Sequence, residues 1–137
     1  MERLATNIYK QQVRAFGGNE ISGKLKTAYE NEKEHAETLA KIILKQSRSP
    51  SKIGIFFGIA GSIAGLVTPI LGKRTLLDID TWIEEKAVQD YYKFVSKLHY
   101  DTETMQILSR IIDDEKRHIE TWIAAKKTIS KGNETEN

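Results

Sequence analysis

The chain has 137 residues, with 21 lysine and arginine residues against 19 aspartate and glutamate residues, and a net charge of +2. This length fits one domain, and so small a basic excess argues against a nucleic acid partner. The sequence contains no cysteine, which excludes disulfide scaffolds, thiolate metal sites and thiol catalysis. With no apolar leader at the N-terminus, we expect a cytoplasmic location.

The predicted elements are helices along the whole chain. Glycine or proline residues break the sequence near residues 17–19, 47–51 and 69–74, and residues 99–102 are predicted to form a further short connection. They leave segments over residues 2–16, 19–46, 53–71, 76–98 and 103–130. None of these alternates between apolar and polar residues as a strand does, so the fold class is predicted to be all-α. The polar residues 131–137 are expected to form a disordered tail.

Four of these segments carry an apolar stripe at alternating steps of three and four residues, which is typical of helices in a bundle. Each stripe is interrupted at one level by glutamate, or by glutamate and histidine together. The interrupting residues are Glu2, Glu32 with His35, Glu84, and Glu115 with His118. Their phase places them on the buried face of each helix, so a solvent-exposed position does not explain them.

The interruptions occur in two matching copies. Glu32 and His35 form a Glu-x-x-His motif, as do Glu115 and His118, and this spacing places both side chains on one helix face. Glu2 precedes the first motif by 30 residues and Glu84 precedes the second by 31. The sequence therefore predicts two related helical hairpins, over residues 2–46 and 76–130, joined by a long crossover over residues 47–75.

Packing these hairpins face to face predicts a ferritin-like four-helix bundle, a single domain over residues 1–130, with four glutamates and two histidines at one level. Burying four carboxylates without cations costs several kcal/mol per charge, whereas two divalent ions neutralise them. Oxygen and imidazole ligands suit two iron ions, with manganese as the other choice. Structural ion pairs are the alternative, but no lysine or arginine lies on the inner stripes near these levels.

The crossover contains an apolar stretch, residues 53–72, of 20 uncharged residues. Its length matches the thickness of a bilayer core, but a membrane span would place the paired hairpins on opposite sides. A peripheral contact with the membrane, or an apolar contact in a homodimer, fits better. Burial within one monomer is a further alternative.

The residues around these motifs resemble one known family, the demethoxyubiquinone hydroxylases, which are dimetal monooxygenases of quinone biosynthesis. The resemblance covers residues 2 to about 122 and rests on both Glu-x-x-His motifs, on Glu2 with Tyr9, and on Glu84 with Tyr91. It implies the same six metal ligands, oxygen and a quinone-type ring as reactants, and membrane contact through the apolar stretch. Asp90 departs from the family pattern, which has a histidine just before the matching tyrosine.

The first functional hypothesis is therefore a di-iron, oxygen-activating monooxygenase acting on a membrane-soluble quinol-type ring, at the inner face of the membrane. Tyr91 is its candidate catalytic residue, as a proton or electron relay; a simple core role is the alternative. A second hypothesis is a ferritin-like protein that oxidises iron or reduces peroxide without an organic substrate. A third is a membrane-associated helical module in which the metals only stabilise the fold.

Overall fold

The computed structural model of the chain describes residues 2–16, 20–45, 71–97 and 100–134. Four long helices account for almost all of these residues, and no strand occurs among them: α1 (Glu2–Ala15), α2 (Glu20–Lys45), α3 (Lys73–Lys97) and α4 (Thr102–Glu134). The predicted all-α class is confirmed. The chain divides into two compact units, residues 1–71 with α1 and α2, and residues 72–137 with α3 and α4.

The first unit is a hairpin in which α1 packs against α2. Ala5, Ile8 and Tyr9 of α1 are buried, as are Leu25 and Ala28 of α2. These positions recur every three or four residues, so each helix presents one apolar stripe to its neighbour. The short connection after α1 brings the chain back antiparallel, which places the start of α1 beside the middle of α2.

The second unit repeats this construction with α3 and α4. Its core contains aliphatic and aromatic residues from both helices, which are Leu76, Leu77, Ile83, Ala87, Tyr91, Leu108, Ile111, Ile112, Trp122 and Ala125. Asp101 precedes α4, and its Oδ1 accepts a hydrogen bond from the backbone N–H of Thr104 at 2.7 Å. This is an N-cap, and it explains why α4 begins at Thr102.

The helix ends differ from the predicted ones by a few residues. α3 begins at Lys73 rather than residue 76, directly after Gly72, whose φ of 87° lies in the left-handed region that glycine tolerates. α4 continues to Glu134 rather than ending at residue 130. A single glycine weakens a helix by only about 1 kcal/mol relative to alanine, so Gly132 does not end this one.

Most of the predicted crossover, residues 47–70, lies outside the described residues, as do residues 135–137 of the predicted tail. Within the described ranges, no helix combines the length and the hydropathy that a membrane crossing requires. The membrane or dimer contact of residues 53–72 and the single-domain arrangement of the two hairpins stay predictions.

Candidate metal centre

In the first hairpin, three of the predicted ligands lie close together in the interior. Glu2, Glu32 and His35 each offer a ligand atom, and these atoms lie within 4.8 Å of one another. The three residues are only 6%, 0% and 5% exposed. Nδ1 of His35 lies 4.0 Å from Oε1 of Glu32, so this nitrogen faces the carboxylate. We call these three residues the first half-site.

The local structure explains how the first half-site forms. Glu32 and His35 are one turn apart on α2 and therefore share a face. Glu2 is in the first turn of α1, where a carboxylate interacts favourably with the helix dipole. The hydroxyl of Thr6 donates a hydrogen bond to the carbonyl oxygen of Glu2 at 2.7 Å. The antiparallel return of the chain then brings Glu2 to the level of the Glu-x-x-His motif.

The second hairpin builds a half-site of the same composition from Glu84 of α3 and Glu115 and His118 of α4. Their ligand atoms again lie within 4.8 Å of one another. Both glutamates are 0% exposed and the histidine is 6% exposed. Nδ1 of His118 lies 3.3 Å from Oε1 of Glu84 and 3.5 Å from Oε2 of Glu115. We call these three residues the second half-site.

Burial and mutual charge shift the titration of the second half-site. Burial, reinforced by the negative charge of Glu115, raises the pKa of Glu84 well above its usual value, although His118 opposes this shift. Burial alone would lower the pKa of His118, but hydrogen bonding and attraction to Glu115 and Glu84 outweigh it and raise the pKa to about 9. The protein thus holds acidic groups where their charge is unfavourable without a cation.

The donor set of each half-site fits a hard or borderline divalent metal ion. Two carboxylates and one imidazole are the ligands that iron and manganese accept in proteins, and they carry the two negative charges that balance one divalent ion. The close approach of three buried ligand atoms in each hairpin supports the same conclusion. Each hairpin therefore presents a buried group of residues that could bind a metal.

Comparison with known proteins identifies the family of this chain. The family model described as "Ubiquinone biosynthesis protein COQ7" matches residues 2–133 of the chain. The chain belongs to the COQ7 family. The resemblance to demethoxyubiquinone hydroxylases is confirmed by this match and by the names of the relatives.

Three curated relatives of this COQ7-family chain are hydroxylases. The mitochondrial NADPH-dependent 3-demethoxyubiquinone 3-hydroxylase of Caenorhabditis elegans is 26% identical over 124 residues, which are 87% of this chain and 66% of that protein. The protein of the same name from Mus musculus is 21% identical over 124 residues, covering 87% and 57%. The 3-demethoxyubiquinol 3-hydroxylase of Rhodospirillum rubrum is 29% identical over 93 residues, covering 67% and 43%. The chain thus spans 43% to 66% of the length of these relatives.

Tyr91, the predicted catalytic residue, is buried on α3 and is 5% exposed. It follows Glu84 by seven residues, so the helical rise between them is about 10 Å. Its neighbour Asp90 is more exposed to solvent than Tyr91. Oδ1 of Asp90 is 3.0 Å from Nζ of Lys86 and 3.2 Å from Nζ of Lys93, and the hydrogen bond from Lys86 lowers the pKa of Asp90.

Sequence reasoning missed two polar residues that are completely buried. Gln12 of α1 and Asp80 of α3 are both 0% exposed. The apolar stripe of α3 runs through Leu77, Thr81 and Glu84 at steps of four and three residues, and Asp80 lies one position to the side. Its spacing of four residues before Glu84 was the signal that could have identified it, because residues four apart share a helix face.

Proposed function

We propose that this protein is a di-iron, oxygen-activating hydroxylase that acts on a membrane-soluble quinol-type ring. The observation that carries the proposal is the pair of half-sites, each with two glutamates and one histidine within 4.8 Å in the interior of its hairpin. Membership of the COQ7 family supports the reaction class, since the relatives are named as hydroxylases of 3-demethoxyubiquinone or 3-demethoxyubiquinol.

The proposal includes one dimetal centre formed by both half-sites. The equal ligand sets and the matching spacings of 30 and 31 residues support it, because two copies of one hairpin present equivalent groups at equivalent heights. Four glutamates carry a charge of −4, which two divalent ions would neutralise. Without the ions, several kcal/mol of desolvation per carboxylate would oppose the packing of the hairpins. Iron is the metal proposed, and manganese would fit the same ligands.

The side chains of this chain would have three tasks. The four glutamates would bind the metals, and the two histidines would bind them through Nδ1, the nitrogen that faces the carboxylates in both half-sites. When bound, the iron ions would supply the activation of oxygen. The aliphatic residues around the half-sites would exclude water from the reacting ring. Tyr91, buried on the same helix as Glu84, would hold or transfer a proton at its phenolic oxygen.

The partners and the location are proposed from sequence and from the relatives. A quinone-type ring is an apolar ligand that dissolves in the membrane, and the uncharged residues 53–72 would let the protein take it from there. An apolar contact in a homodimer is the alternative role of the same stretch. A cytoplasmic position at the inner face of the membrane stays a prediction, and the relatives from C. elegans and M. musculus are named as mitochondrial.

The test compares two isosteric variants of α4. Glu115→Gln removes a buried ligand, whereas Glu120→Gln changes an exposed residue of the same helix. We expect wild type and Glu120→Gln, reconstituted anaerobically, to bind two irons per chain and to hydroxylate a short-chain 3-demethoxyubiquinol analogue with consumption of oxygen. Glu115→Gln should lose both properties.

Three outcomes would count against the proposal. A folded wild-type protein that binds neither iron nor manganese would refute the dimetal centre. Rapid oxidation of ferrous iron by peroxide, with no effect of the quinol, would instead support the ferritin-like alternative. Equal hydroxylation by wild type and Glu115→Gln would show that the second half-site is not where the reaction occurs.

A further inference from the structure

The second hairpin presents a tryptophan to solvent on the outer side of α3. Trp82 is 60% exposed, although tryptophan is highly buried on average in folded proteins. It precedes the buried Tyr91 by nine residues, about two and a half helical turns, so the two side chains lie on opposite sides of α3. Asp78 and Glu85, which share the outer side with Trp82, are also exposed. The core of the hairpin therefore does not account for Trp82.

Ile123 of α4 lies at the level of Trp82. Nζ of Lys126 on α4 pairs with Oδ1 of Asp78 on α3, and this ion pair fixes the register of the two antiparallel helices. Trp82 follows Asp78 by four residues and Ile123 precedes Lys126 by three, so the helical rise brings both apolar residues to one level. Ile123 is 37% exposed. We call Trp82, Ile123, Asp78 and Lys86 the tryptophan surface.

The charges on either side of Trp82 are complementary to their own reverse order. Positions four residues apart form a ridge on a helix, and the ridge through Trp82 contains Arg74, Asp78, Trp82, Lys86 and Asp90. Four residues from Trp82 an acid precedes it and a base follows it. Eight residues away the base precedes it and the acid follows. A twofold axis at Trp82 would therefore bring every acid of one copy to the level of a base of the other.

We propose that the tryptophan surface binds a second copy of this chain, in an isologous dimer whose twofold axis passes beside Trp82. The two Trp82 side chains pack together at the centre, and Asp78 of each copy lies beside Lys86 of the other. The aromatic pair supplies most of the affinity, because exposed ion pairs contribute little. The charges instead select the antiparallel orientation of the two helices.

The charges around Trp82 favour a protein partner over a lipid surface. Asp78 and Glu85 would face the anionic head groups of a membrane, which repel carboxylates. Between two copies, Asp78 keeps Lys126 as a neighbour and Lys86 keeps Asp90, whose Oδ1 is 3.0 Å from Nζ of Lys86. The contacts between copies extend these ion pairs at the edge of the interface. The dimer goes beyond the proposed function and does not depend on it, since the tryptophan surface contains no residue of either half-site.

The first experiment reverses one charge at a time. Asp78→Lys and Lys86→Glu each place like charges opposite one another in a homodimer. In an equimolar mixture, the introduced lysine of one variant faces the introduced glutamate of the other, and the unchanged Asp78 and Lys86 pair as in the wild type. Within one chain the two positions are eight residues apart, about 12 Å of helical rise. Recovery on mixing therefore reports a contact between copies.

The association is measured by sedimentation equilibrium of the full chain over a concentration series. One helix face is a small contact compared with the about 800 Å² per partner of a stable complex, so we expect a reversible dimer. Each single variant should dimerise about tenfold or more weakly, and the mixture should recover most of the wild-type affinity. Lys33→Glu is the matched control, because it disrupts a comparable ion pair, with Glu37 at 3.9 Å, on α2 of the first hairpin. It should dimerise as the wild type does.

The second experiment removes the aromatic centre. Trp82→Ala should weaken the dimer by about thirtyfold or more, the loss typical of a central tryptophan at an interface, without changing the helix content. Phe94→Ala is the matched control, since Phe94 is 55% exposed on α3 but lies about a third of a turn around the helix from Trp82. Trp122, the other tryptophan of the chain, is 0% exposed. Quenching of the wild-type fluorescence by acrylamide therefore reports Trp82 and should decrease as the protein concentration rises.

Four results would overturn the inference. They are a wild type that stays monomeric over the whole series, a wild-type dimer that Trp82→Ala leaves unchanged, a mixture that does not recover affinity, and an equal loss in Lys33→Glu. The second result would assign the dimer to residues 53–72 instead. A monomeric wild type whose binding to anionic vesicles falls in Trp82→Ala would make the surface a membrane contact. Failure to bind iron would refute the proposed function and leave the dimer standing.

Discussion

Removal of the metal should destabilise this protein by an amount that follows from the number of half-sites. An ion that binds only the folded chain adds about 2.7 kcal/mol at a free concentration 100 times its dissociation constant, so two ions add about 5 kcal/mol. For a chain of this size, 1 kcal/mol corresponds to about 3–4 °C in melting temperature. We therefore expect chelation to lower the melting temperature by about 15–20 °C.

The variant Glu84→Gln should separate metal binding from folding. It removes one of the three ligands of the second half-site, so the gain in stability on adding iron should fall by at least half. Without metal, the variant should be within about 1 kcal/mol of the wild type. Burial raises the pKa of Glu84, so the ionised side chain disfavours the folded state. The neutral glutamine avoids this penalty but loses the attraction to His118, and the two effects oppose each other. His118 keeps Glu115 as a neighbour, with their atoms 3.5 Å apart.

The measurement is a calorimetric melt under anaerobic conditions, with and without ferrous iron, on wild type, Glu84→Gln and Glu85→Gln. Glu85 is exposed on the same helix and serves as the matched control. A folded wild type whose melting temperature does not respond to ferrous iron would refute the reasoning, as would an equal loss of the iron response in Glu85→Gln. A full stability response without oxygen consumption would favour a metal that only stabilises the fold.

Three further predictions concern single side chains. Tyr91→Phe should keep two irons per chain but lower the hydroxylation rate by about a hundredfold or more, because this is the usual loss when a positioned proton donor is removed. The rate is measured as product formation under saturating quinol, and an unchanged rate would assign Tyr91 to the core. Leu25→Ala removes a side chain that is 0% exposed and should reduce the free energy of unfolding by about 2–5 kcal/mol in a urea titration. Asp101→Ala removes the acceptor of the Thr104 N–H and should reduce it by about 1 kcal/mol, with no change in iron content.

The burial of the polar residues in both motifs followed from the sequence. Glu32 and His35 interrupt an apolar stripe at its own spacing, and a residue in phase with a stripe lies on the buried face. The structure buries both, as it buries Glu115 and His118. Their common role as metal ligands stays a prediction until iron binding is measured.

The ends of the helices and the burial of Asp80 could not be predicted from the apolar periodicity. α3 starts at Lys73 because Gly72 adopts a left-handed backbone, and α4 starts at Thr102 because Asp101 caps it. Both are local geometries that a stripe of apolar residues does not encode. Asp80 lay beside the stripe, where a charged residue is ordinarily solvated.

The sequence by itself determined the class of the fold and the level of each candidate ligand, since helical periodicity and the spacing of two repeated motifs depend only on the order of residues along the chain. Only the tertiary structure decided which neighbouring positions share the interior with those ligands and how their charges interact. The interior burial of Asp80 and the raised pKa of His118 depend on how closely a second helix approaches. That distance depends on packing between segments far apart in sequence, and the apolar periodicity of one helix does not specify it.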